Sequence, residues 1–181
     1  MTDAYTTAAW IGFLTAEVSA AGALTGLLFV AVSINLAKIL SFPKLPARAA
    51  ETLAILLLVV VTASLGLAPQ SGSLIGVEVI GCTAGLIAVT LAIQLRHGPD
   101  RSTDPLWWFL ARIAIVQIPA ALFLIGGVSL AVGAGGGLYW FVPGTLIAFI
   151  AAVYNAWILL VEIVRQHPED PSARESGPAQ H

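Results

Sequence analysis

Charge is what this sequence holds least of. Eight Lys and Arg and ten Asp and Glu among 181 residues make 10%, where an ordinary globular domain carries about a quarter. A net charge of -2 without a basic cluster leaves no surface for nucleic acid. The one cysteine, Cys82, excludes an intramolecular disulfide and a cysteine-rich metal site. The histidines are His97, His167 and His181, all outside the apolar runs, so no pair is placed to hold haem within a membrane. HExxH, GxSxG and Walker patterns are missing, and Ser71-Gly72-Ser73 reads as a turn. Neither enzymatic activity nor a cofactor or metal is expected.

What fills the chain instead is apolar: 58% of residues are hydrophobic, and the mean hydropathy is +0.91. A bilayer core of about 30 Å takes roughly 20 apolar helical residues. Five stretches reach that length, at about 10–37, 52–68, 74–95, 106–132 and 138–164. The expected fold is therefore all-α, a polytopic transmembrane bundle occupying residues 1–165. Residues 166–181, "QHPEDPSARESGPAQH", have no apolar side chain larger than alanine or proline and are expected to be a disordered tail. In the first linker, "KILSFPKLPARAAE", Pro43 and Pro46 are expected to break any helix. The N-terminal "MTDAYTTAAW" has no positive n-region, so a removable signal peptide is not expected.

Basic residues are sided. Lys38, Lys44 and Arg48 lie between spans one and two, Arg96 and Arg101 between three and four, and Arg165 and Arg174 after span five. The positive-inside rule then predicts an outer N-terminus and a cytoplasmic C-terminus in the plasma membrane. Trp10, Tyr139 and Trp140 would mark the outer interface, Trp107 and Trp108 the inner one.

Ionisable residues inside the spans are the functional candidates. Counting about 20 residues back from Lys38 and Arg96 sets Glu17 and Glu78 on one outer shelf. At about 100° per residue, Glu78 shares a face with Gly81, Cys82, Gly85, Val89 and Ala92. Small-residue faces are where membrane helices approach, so Glu78 is expected to point into protein and to be the stronger candidate. Glu17 is expected at the outer edge, where a carboxylate can snorkel into water. Thr15, Ser19, Gly22, Gly26 and Ser33 form one stripe of the first span, with Glu17, Ala21, Leu28 and Asn35 nearly opposite. The Gly22–Gly26 stripe, like Gly81 and Gly85, is expected to pack helices within the chain.

At the inner side, Asn155 and Glu162 share a stripe of span five, and Arg112 on span four lies at similar depth. Arg112–Glu162 is expected as a structural ion pair, while Asn155 and Glu162 are further pathway candidates. Pro119, Gly126 and Gly127 are expected hinge points in span four. These features point first to a homo-oligomeric ion channel or passive pathway, cation-preferring through an outer carboxylate ring. A non-conducting scaffold or regulator of another membrane protein is the alternative, and a proton-coupled small-solute transporter the third. The expected partners are lipid, further copies of the chain and an unspecified membrane protein.

Overall fold

The structure, a computed structural model, describes residues 3–42, 45–96 and 106–165. The expected tail, His97, Arg101, Pro43 and Lys44 lie outside the described residues, as do the side chains of Trp108, Glu162 and Arg165. A 3-10 turn, Thr7–Trp10, leads into α1, Ile11–Ile34, and the short α2, Leu36–Leu40, follows. Then come α3, Leu45–Leu67; α4, Gly72–Arg96; α5, Leu106–Val132; and α6, Phe141–Arg165, which follows a second 3-10 turn at Gly137–Trp140. Five of these helices are long and apolar enough to cross a membrane.

The first linker departs from expectation. Pro46 does not stop a helix but sits in the first turn of α3, where its missing N–H would have had no helical acceptor anyway. The second span therefore begins at Leu45 and takes in Arg48 and Glu51. Asn35 breaks the first span instead. Its backbone leaves helical geometry, and its side-chain amide donates to the Ala31 carbonyl at 2.9 Å.

Helix α3 occupies the centre and touches each of the other long helices. Its buried residues cover more than one face, from Thr52, Ile55 and Val59 to Leu56 and Ala63. Helix α1 buries only the stripe Leu14, Glu17, Ala21 and Leu28. It lies against α3, where Leu14 presses on Gly66. That antiparallel register brings Ala63 and Val59 level with Glu17 and Ala21.

Glycine sets the closest approaches, but not the glycines expected from the sequence. A Cβ on Gly76 would lie 2.5 Å from the Ala131 backbone nitrogen and 2.6 Å from the Gly127 carbonyl oxygen. Helices α4 and α5 therefore meet almost backbone to backbone. Gly126 seats the Phe141 ring, and Gly144 seats Phe123, so α5 and α6 interlock reciprocally. The two rings meet edge to face at 5.3 Å. Gly126 and Gly127 thus serve close packing, and α5 runs unbroken through them and through the buried Pro119. Gly22, Gly26, Gly81 and Gly85 face outward, with no atom within 4 Å of where a side chain would begin. The expectation that these four pack helices within the chain is overturned, because the opposite faces of α1 and α4 are the buried ones.

One end of the bundle is closed by the N-terminal segment. Leu138 N–H donates to the Ala4 carbonyl at 2.9 Å, and Gly136 N–H to the Tyr5 hydroxyl at 3.1 Å. The loop can meet these acceptors because Gly133, Gly135, Gly136 and Gly137 all take positive φ, a region that side chains with a Cβ rarely enter. Ser129 pins its base, donating to the Ala134 carbonyl and accepting from Gly137 N–H. Trp10 packs edge to face on Tyr139 at 4.8 Å.

Gly76→Val should destabilise the detergent-solubilised protein by about 1–3 kcal/mol or more through overpacking. Gly81→Val, on the open face of the same helix, should stay within about 0.5 kcal/mol. Thermal unfolding of the two variants side by side checks this.

Candidate functional site

Most polar side chains within these helices are satisfied by their own backbone. Ser19 donates to the Thr15 carbonyl, Thr25 to Ala21, Thr52 to Arg48 and Thr62 to Leu58, all at 2.7–2.9 Å. Such bonds cancel the cost of a hydroxyl in an apolar interior. Longer side chains need partners on other helices, and two groups of them do so towards the Arg96 end.

Arg112 on α5 forms a two-pronged ion pair with Glu51 on α3, Nη2 to Oε1 at 2.5 Å and Nε to Oε2 at 3.3 Å. Glu51 is 1% exposed. The expected Arg112–Glu162 pair falls on a side chain outside the described residues; the partner described for the arginine is Glu51, on α3. Sequence alone leaves Glu51 in a linker, because Pro46 reads there as a helix breaker and not as a residue of the first turn. A fork-shaped guanidinium facing a carboxylate fixes the relative rotation of two helices.

Beside the pair, Gln117 on α5 donates to Thr90 Oγ1 at 3.0 Å and to Gln94 Oε1 at 3.2 Å, both on α4. Gln94 Nε2 and Gln117 Oε1 remain without a partner among the described residues. Neither Gln94 nor Thr90 was singled out beforehand. Their signal was the four-residue spacing that puts both on one face of α4. Asn155 is buried on α6.

Glu78 does not point into the protein core. It is half-buried near the Trp10 end and accepts from Gln70 Nε2 at 2.6 Å, a bond within the α3–α4 hairpin. The face it was expected to share opens outward. Cys82 and Gly85 border a groove of about 340 Å³ between α3 and α4, lined otherwise by apolar side chains and Thr90. The inward face of α4 is Ile75, Gly76, Val79, Thr83, Thr90 and Gln94.

Glu17 is the group that the fold encloses. Only 3% of it is exposed, and neither carboxyl oxygen has a hydrogen-bond partner among the described residues. It lies about 10 Å further along α1 than Trp10, and the same climb along α6 from Tyr139 reaches Thr145. Thr145 is the polar side chain that bears on the carboxyl, and its hydroxyl too is buried without a partner among the described residues. Thr25, Thr52, Thr62 and Thr90 return their hydroxyls to their own helix, whereas Thr83 and Thr145 do not; of these two, it is Thr145 that stands beside an unpartnered carboxyl. The expectation of a snorkelling carboxylate at the outer edge does not hold. Residues of α3 and α6 cover it, because the stripe carrying Glu17 is the one α1 turns inward.

Five apolar helices, a closed polar interior and a buried carboxyl are the fold of a multi-pass helical membrane protein. Compared with known proteins, the chain matches no family model, no curated protein and no solved structure. Among the described residues, no three of His, Cys, Asp or Glu gather closely enough to hold a metal ion.

Arg112→Ala should cost about 3–5 kcal/mol, because it strands Glu51 as a buried lone charge. Replacing both partners with Leu and Met should recover much of that loss. Equilibrium unfolding of the single and double variants in detergent distinguishes the two.

Proposed function

We propose that the protein is a membrane transport protein that passes cations through each protomer, with Glu17 as the carboxyl that handles the charge. One observation carries the reading: Glu17 is 3% exposed, and neither oxygen has a donor among the described residues. An apolar interior admits such a group only when its charge is cancelled, by a proton or by a cation on its oxygens. Structural carboxylates in this fold are answered by protein, as Glu51 is by Arg112. Glu17 is left open to something that comes and goes. In this reading the Trp10 end is external in a plasma membrane, and the Arg112–Glu51 pair and the Gln94–Gln117 amides stand at the inner half. In this reading Glu78, half-buried and held by Gln70, is not the group that selects the ion.

The outward faces of α1 and α4 support self-association, with Gly22 and Gly26 allowing a neighbouring helix to come close. The same observation favours the second reading, a non-conducting scaffold that holds another membrane protein against α1.

Reconstituted into liposomes, the wild type should dissipate an imposed cation gradient. Glu17→Gln should reduce that flux to the level of empty liposomes, and Glu78→Gln should leave it largely intact. Absence of flux in the wild type, or equal loss in both variants, would remove the transport reading in favour of the scaffold.

A further inference from the structure

Resting on the transport reading, we propose that the ion taken at Glu17 is a proton, so that Glu17 with Thr145 forms a protonatable pair and not a metal-cation site. The donor set decides between them. A hard metal cation gathers about six or more oxygens, and membrane carriers find them in backbone carbonyls freed where helices unwind. Here the open oxygens are the two of the Glu17 carboxyl and the Thr145 hydroxyl. The neighbouring backbone has none to add. Helices α1, α3 and α6 run unbroken past this level. The Thr15 and Ala21 carbonyls are further engaged by Ser19 and Thr25, and the Thr62 hydroxyl is spent on Leu58. Three oxygens cannot replace the hydration shell of a metal cation. A single proton makes the carboxyl neutral and turns one oxygen into a donor for which the Thr145 hydroxyl is an acceptor.

Among the described residues, no charged group on the helices packed against α1 competes for that role, and Glu78, at a similar level on α4, is held by Gln70. On α3 the titratable side chains are Arg48 and Glu51, roughly 18 Å along the helix from the level of Glu17. On α6, Tyr154, Glu162 and Arg165 all belong to the half away from Thr145. Lys38 is on α2, at the far end of α1, and Asp3 and Tyr5 stand at the Trp10 end, where the Tyr5 hydroxyl accepts from Gly136. The proton's exchange is therefore governed by access to the site and not by a neighbouring ion pair.

Dicyclohexylcarbodiimide, an apolar reagent that reacts only with a protonated carboxyl, tests this on the intact protein in membranes. The carboxyl proton passes to a carbodiimide nitrogen as a carboxyl oxygen bonds the central carbon, and the adduct rearranges to a stable N-acylurea readable by peptide mass spectrometry. The expected result is an adduct on Glu17 at neutral pH that declines as pH rises, is unchanged by added sodium or potassium, and disappears in Glu17→Gln. No adduct on Glu17 while the reagent labels an added carboxylic detergent would overturn the proposal. So would suppression of labelling by sodium or potassium at constant pH. Proteoliposomes loaded with a pH dye separate this from the transport reading: labelling without any flux sinks transport and leaves the proton site. Sodium or potassium flux without labelling does the reverse.

Discussion

Within a bilayer no water comes to the aid of a buried polar group, and that constraint shapes nearly every contact in this bundle. Hydroxyls fold back onto their own helices, as Ser19, Thr25, Thr52 and Thr62 do. Side chains too long to do so reach across: Arg112 to Glu51, and Gln117 to Thr90 and Gln94. These few crossings position the helices, because apolar packing alone gives lipid-facing and protein-facing surfaces similar chemistry. Glu17 stands out against this background because both of its carboxyl oxygens are buried without a partner among the described residues.

The packing follows from where side chains are smallest. Gly76 and Gly127 let α4 and α5 touch nearly backbone to backbone, while Gly126 and Gly144 each give a seat to a phenylalanine of the partner helix. With α4, α5 and α6 interlocked in this way, α3 fills the middle and α1 rests on its outer side. The polar crossings and the glycine contacts therefore lie at opposite ends of the α4–α5 pair, one restraining rotation and the other separation.

The spans could be read from the sequence because apolar runs of membrane length have few other uses. What lay inside and what lay outside could not. In a soluble helix the polar face is the exposed one, but Gly22 and Glu17 sit on opposite sides of α1 with apolar surroundings on both. Angular counting separated the two stripes correctly and had no means of choosing between them. The small-residue rule favours Gly22, Gly26, Gly81 and Gly85, yet the glycines in close contact within the chain include Gly66, Gly76, Gly126, Gly127 and Gly144 instead. Pro46 misled for a different reason. Proline is a breaker in a helix interior and an initiator in the first turn, and moving that boundary concealed the partner of Arg112.

The tie between residues 4–5 and the glycine loop at 136–138 gives the bundle the mechanics of a clasp. Helix α1 leans on the remainder through one narrow stripe, and its near end is fastened to the hairpin of α5 and α6. From that fastening to Glu17 the chain is a short 3-10 turn running directly into α1, a stiff lever arm. The depth at which Glu17 sits is therefore anchored from the end of the bundle as well as from its sides.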